Sequence, residues 1–205
     1  GRGTYASSEK LRHSTMQTLT VPRLAAVLGS DPRQVDWSRA AVLSGWRTLR
    51  GDASPRRVEG RLAHDGVCLY VLLEEAVAPS SLLVAANTVW GEDEWELFVS
   101  RQRSQPYHQM GINARGVHID LRHEGSTQPK WDSGASVVSD TTTPDRWRVQ
   151  IAVPLDRLVP DGAQPGQTLY FNVLRATNAQ SALAWIPTFA GFHEPSRFGE
   201  VTLQK

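Results

Sequence analysis

The segment WGEDEWELFVS (residues 90–100) sets four carboxylates, Glu92, Asp93, Glu94 and Glu96, beside two tryptophans, Trp90 and Trp95. Carboxylates at such spacing can move protons, hold cations or accept hydrogen bonds from hydroxyl groups. Indole rings next to them add flat apolar faces. Sugars match that mixture, because a pyranose stacks its C–H face on an aromatic ring while its hydroxyls seek acceptors and donors. Two acids could also cleave a glycosidic bond, but that chemistry needs a second carboxylate across a cleft. No pattern in the chain marks one. The six histidines show no HExxH-type spacing, and no serine sits in a G-x-S-x-G elbow. Holding a sugar without breaking a bond is therefore the chemistry these residues favour.

Alternation shows how such side chains would be presented. In EDEWELFVS the side chains of Glu94, Glu96 and Phe98 point one way, and those of Trp95, Leu97 and Val99 the other. Leu97 and Val99 suit a core, so Trp95 turns inward with them and Glu96 looks away. In WRVQIAV (147–153) the same rule puts Val149, Ile151 and Val153 inside and Arg148 and Gln150 outside. Strand-like runs recur along the chain: VCLYVLLEE (67–75), SLLVAA (81–86), WELFVS (95–100), YHQMGINA (107–114), VHIDLR (117–122), ASVVS (135–139), WRVQIAV, LYFNVLRA (169–176) and GEVTL (199–203). Asp65-Gly66 is a hairpin turn signal ahead of the first of them. DWSRAAVLSGW (36–46) fits a helical turn or a strand equally, and PLDRLVP allows one helical turn. Many short strands between turn signals specify a sandwich or barrel.

Composition narrows the partners. A net charge of +1 with interleaved arginines and acids is not the clustered basic face of a nucleic-acid binder. No apolar run approaches the roughly 20 residues of a membrane-spanning helix. Cys68 is the single cysteine, in the apolar run VCLYVLL, and reads as a small buried residue; an internal disulfide and a thiolate metal cluster are excluded. Seven tryptophans in 205 residues exceed what a core of this size needs. Residues 1–20 are polar and aperiodic and read as an arm or linker, with one folded domain over 21–205. The start, GRGTYASSEK, has no export-signal pattern and reads as a trimmed end.

Seven segments in order, DGVCLYVLLEE, WGEDEWELFVS, YHQMGINARG, KWDSGASVV, RWRVQIAVPLDRL, LYFNVLRA and WIPTFAGFHEPSRFGEVTL, resemble successive blocks of carbohydrate-binding module family 9, part of the DOMON-like group. The resemblance covers approximately residues 20–205 and closes on F-H-x-P-x-R-F-G. It implies an all-β fold, an antiparallel β-sandwich of about ten short strands, immunoglobulin-like or DOMON-like. It implies a non-catalytic domain of a secreted or periplasmic bacterial protein, extracellular or periplasmic in location, with a mono- or oligosaccharide and the other domains of a larger parent as partners. The best-known members hold a sugar's reducing end between two tryptophans. Carried over, Trp90 matches the first ring, Glu96 and Asp93 the acceptors of sugar hydroxyls, and Gln109 and Asn113 the block that orients the sugar. The second tryptophan aligns with His193, and an arginine donor aligns with Gly111. Phe192, Trp185, Trp131 and Arg175 are secondary candidates for sugar contact.

The resemblance carries further implications. Some relatives hold structural calcium; Asp36, Asp65 and Asp93 could contribute, without a D-x-D-x-D-G loop to define a ligand set. The DOMON-like sandwich also serves as a haem-binding electron-transfer domain, for which Met110 with His193 or His118 would be the axial pair. An interaction or scaffold domain with a degenerate sugar site is the third reading, supported by Gly111.

Overall fold

The Asp65-Gly66 signal joins β4 (Val58–His64) to β5 (Cys68–Glu75). Gly66 takes φ +85°, a left-handed conformation that favours glycine. The Asp65 carboxylate organises the turn, accepting from the N–H groups of Val67 (2.9 Å), Cys68 (2.8 Å) and Leu28 (2.9 Å) and from the Tyr70 hydroxyl (2.6 Å). These and all following distances come from a computed structural model that describes residues 17–84, 88–177 and 180–205.

The remaining strands are β1 (Thr18–Val21), β2 (Ala41–Leu43), β3 (Arg47–Thr48), β6 (Glu94–Ser100), β7 (Tyr107–Asn113), β8 (His118–His123), β9 (Ser136–Asp140), β10 (Trp147–Pro154), β11 (Thr168–Ala176), β12 (Leu183–Ala184) and β13 (Gly199–Leu203). One helical turn, α1 (Leu155–Leu158), follows β10. The first sheet runs β1-β13-β11-β6-β7-β8, with β12 on β11 and β3 on β12; the second runs β2-β4-β5-β10-β9. β1 lies parallel to β13, while the other ladders are antiparallel. The expected all-β sandwich is the observed fold.

Alternation places the core as expected. Trp95, Leu97 and Val99 of β6 join Val149, Ile151 and Val153 of β10 between the sheets. Trp95 is fully buried, with Trp46 and Trp147 each at 6.0 Å. On the opposite face of the first sheet a smaller apolar cluster gathers Phe98, Tyr107, Leu174 and Phe198. That sheet is therefore buried on both faces along β6 and β7.

Three details depart from the sequence reading. The described part of SLLVAA forms no strand: Pro79–Ser81 is a 3-10 turn. Leu83 instead accepts from Asp93 N–H (3.1 Å) and donates to the Asp93 carboxylate (2.8 Å); residues 85–86 lie outside the described residues. The ambiguous DWSRAAVLSGW is both things in succession, a 3-10 turn (Trp37–Arg39) capped by Asp36 and then β2. The chain pairs from Thr18, ahead of Val21, while residues 1–16 of the expected arm lie outside the described residues. Thirteen strands are counted among the described residues, against about ten expected. The excess comes from two- and three-residue pieces too short to show a period.

Candidate functional site

Outward-facing side chains of three adjacent strands form the floor of a cleft on the first sheet. β6 supplies Glu94 and Glu96, β7 supplies Gln109, and β8 supplies Leu121 and His123. Register aligns them: Glu96 pairs with Gly111, Phe98 with Gln109, Gln109 with Leu121, and Tyr107 with His123. Trp90 and Gly91 wall one side, and Phe192 and His193, from the loop before β13, wall the other. Gln128 completes the rim of a cavity of about 370 Å³.

Trp90 reaches this position because β7 has no side chain beneath it. A Cβ on Gly111 would lie 2.6 Å from Trp90 Cζ3 and 2.8 Å from Cη2, closer than carbon atoms approach. The glycine that stands where the resemblance expects an arginine is thus what lets the indole settle on the sheet. His193 is fixed through Tyr107, whose hydroxyl hydrogen-bonds Nδ1 at 2.9 Å. The imidazole also meets the Phe98 ring edge-on, centroids 5.2 Å apart.

A polar chain crosses the floor. His123 Nε2 donates to Gln109 Oε1 (2.7 Å), and Gln109 Nε2 donates to Glu96 Oε1 (2.5 Å). Glu96 in turn hydrogen-bonds Glu94. Both carboxyls are buried, and burial raises both above the usual range; for Glu94 the adjacent Glu96 raises it further. The pair shares a proton, because two buried like charges in contact cannot both ionise. Burial, reinforced by the charge His193 could carry, pushes His123 down to about 4, so its imidazole is neutral.

Of the residues singled out from the sequence, the cleft brings together Trp90, Glu96, Gln109, Phe192 and His193. The structure puts the others elsewhere. Asp93 and Arg175 turn away from the cleft: Arg175 is 1% exposed and bonds Glu75 (2.7 Å) and Asp93 (2.9 Å). Its guanidinium lies over Trp147 and Trp95 at 4.9 and 5.8 Å. Asn113 is committed to the β7–β8 turn, where its Oδ1 accepts from Arg115 and Val117 N–H. Trp185 packs inside against Phe171. Trp131 stacks on the buried His108 at 4.3 Å and donates to Arg157 O. It borders a separate opening of about 500 Å³ beside β8. There Ser133 and His118 both engage Asp120, at 2.6 and 2.8 Å.

The sequence reading did not select Glu94, His123, Leu121 or Gln128. Glu94 was within reach, two residues before Glu96 and on its face. The other three join the site through strand pairing and loop return, which no local pattern encodes.

Neither cofactor expectation fits the side chains. Met110 is fully buried between the sheets, on the face of β7 opposite the cleft that holds His193. His118 pairs with Asp120, so no axial pair spans one pocket. Asp36 caps a 3-10 turn, Asp65 caps the hairpin, and Asp93 pairs with Arg175. Among the described residues no three His, Cys, Asp or Glu side chains cluster as metal ligands would.

The family model described as carbohydrate family 9 binding domain-like matches residues 34–205. No curated protein matches the chain's sequence. Among solved structures, the fold is similar to a candidate carbohydrate-binding protein from Bacteroides uniformis: TM-score 0.74, 16% identity, 92% of this chain and 99% of that one covered. It is also similar to a carbohydrate-binding module family 9 from Caldicellulosiruptor kristjanssonii in complex with cellotriose: TM-score 0.64, 18% identity, 92% and 94% covered. The same family in that organism, in complex with glucose, gives TM-score 0.63 at 18% identity, with 92% and 96% covered.

Proposed function

We propose, from the premise that this chain belongs to the carbohydrate family 9 binding domain-like family, that it holds a sugar in the cleft on the outer face of its first sheet. The family is one of non-catalytic carbohydrate-binding domains, and the chain is not an enzyme. The observation that carries the placement is convergence. Trp90, Glu96, Gln109, Phe192 and His193, spread over a hundred residues of sequence, line one cavity of about 370 Å³.

In this reading Trp90 is the stacking platform, with the sugar's C–H face against the indole. Glu96 and Gln109 bond the hydroxyls on the floor. Phe192 and the imidazole of His193 form the facing wall, a smaller clamp than two indoles. A shallow open site recovers little area against the loss of ligand freedom, so affinity is modest. Such a domain would meet its sugar outside the cytoplasm and deliver attached domains to it.

The test is a titration of tryptophan fluorescence with glucose, cellobiose, xylose and longer oligosaccharides, repeated on Trp90→Ala. Saturable change with at least one sugar, weakened tenfold or more in the variant, is the expected outcome. A folded protein that answers no sugar overturns the reading and leaves an interaction domain in its place.

A further inference from the structure

We propose that the cleft selects sugars in which an ammonium group replaces a hydroxyl, with Glu94 and Glu96 as its paired counter-charge. The inference rests on the sugar-binding reading above and names the ligand class for the same site.

The walls supply acids without a base. Among the described residues that line the cleft there is no lysine or arginine. The nearest buried cationic cluster is already balanced: Arg175 and Arg56 face Glu75 and Asp93, two positive charges against two negative. Arg175 offsets only part of the cost of burying Glu94, whose acidity stays far weaker than usual. Glu94 is 3% exposed, lines the cleft, and its Oε2 is buried with no hydrogen-bond partner. A buried carboxylate oxygen without a donor is costly, and its position in the cavity wall makes the ligand the natural source of that donor.

A neutral sugar hydroxyl could donate one hydrogen bond there, but it would leave the proton-sharing pair with a buried negative charge that no cation in the cleft matches. An ammonium brings three donors and one positive charge, enough to satisfy Oε2 and bridge the pair. The flanking Trp90 and Phe192 rings favour a cation through their negative faces. The other titratable groups around the cleft do not compete: His123 is neutral and bonded to Gln109, and His193 is bonded to Tyr107. Binding then displaces the proton that Glu94 and Glu96 share, and this proton passes to the solvent.

The experiment is isothermal titration of the full chain with glucose, with glucose bearing an amino group at C2, C3 or C6, and with the N-acetylated form of each amino sugar. Each titration is run in two buffers of different ionisation enthalpy. At least one amino sugar is expected to bind tenfold or more tighter than glucose and than its own acetylated form, with proton release that glucose lacks. Glu94→Gln is expected to abolish both the release and the preference, read as the ratio of amino-sugar to glucose affinity within the same variant. If glucose binds and no amino sugar exceeds it, or if Glu94→Gln leaves the preference intact, this inference fails and the sugar site stands. If no sugar of either kind binds a folded protein, the sugar-binding reading itself fails.

Discussion

At the scale of single residues, the cleft depends on an absence and on a strained pair. The absence is at Gly111, where the far end of the Trp90 ring rests on bare backbone. Gly111→Ala should push the indole off the sheet. Because the new Cβ would also lie 2.9 Å from Cγ2 of the buried Val89, denaturant stability should fall by about 1–3 kcal/mol, while sugar affinity drops at least tenfold. The strained pair is Glu94 and Glu96. Burial weakens the folded-state acidity of both, and Glu96 weakens that of Glu94 further, so protonation favours the folded state. Relative to an unfolded chain, whose glutamates titrate near ~4.3, the pair destabilises the fold increasingly as pH rises above that value. Glu94→Gln should therefore be close to neutral at pH 4 and raise the melting temperature at pH 7.5, as thermal scans at both pH values would report. A site that keeps such a pair despite this cost is one where sequence-level rules yield to binding.

At the scale of elements, two devices hold the strands that carry the cleft. The first is the β4–β5 hairpin, whose Asp65 carboxylate gathers four donors. Burial alone would raise the acid's pKa, but the Tyr70 hydroxyl and the N–H groups of Cys68, Leu28 and Val67 outweigh it and hold Asp65 below its ordinary value. A depressed acid stabilises the fold above the unfolded pKa, near ~3.9, and that support is lost as pH falls through the lower folded value. Asp65→Asn should cost about 2–3 kcal/mol at pH 7 and flatten the acid limb of a stability–pH profile. The second device is Arg175, which ties β11 to Glu75 of β5 and to Asp93 just before β6. Arg175→Met would strand the buried Asp93 and leave Glu75 with Arg56 alone, and should cost about 3–5 kcal/mol in urea unfolding. This residue also marks the limit of the sequence reading. LYFNVLRA announces a strand, and parity puts Arg175 on the same side as Val173. Nothing local reveals that two acids and two indoles wait there to receive it.

At the scale of the whole molecule, the fold was legible because alternation is a local property and most long strands show it. The runs that became β5, β6, β7, β10, β11 and β13 were all visible. The described part of SLLVAA misled because apolar content without a pairing edge is not a strand, and Asp93 captures the Leu83 backbone instead. The cleft was half legible: Trp90 and Glu96 stand in one segment, whereas His123 and Gln128 arrive by register and loop path. One feature of that architecture has a mechanical consequence. β1 runs parallel to β13, Thr18 beside Glu200 and Val21 beside Leu203. Tension applied at Thr18 and Leu203 draws these two strands past each other, loading their hydrogen bonds together instead of peeling them one at a time. In single-molecule pulling, that attachment should rupture at a higher force than attachment across the β4–β5 hairpin at Val58 and Glu75, where the ladder opens like a zip. The strand pair that closes the first sheet is in this way the one built to bear load along its own axis.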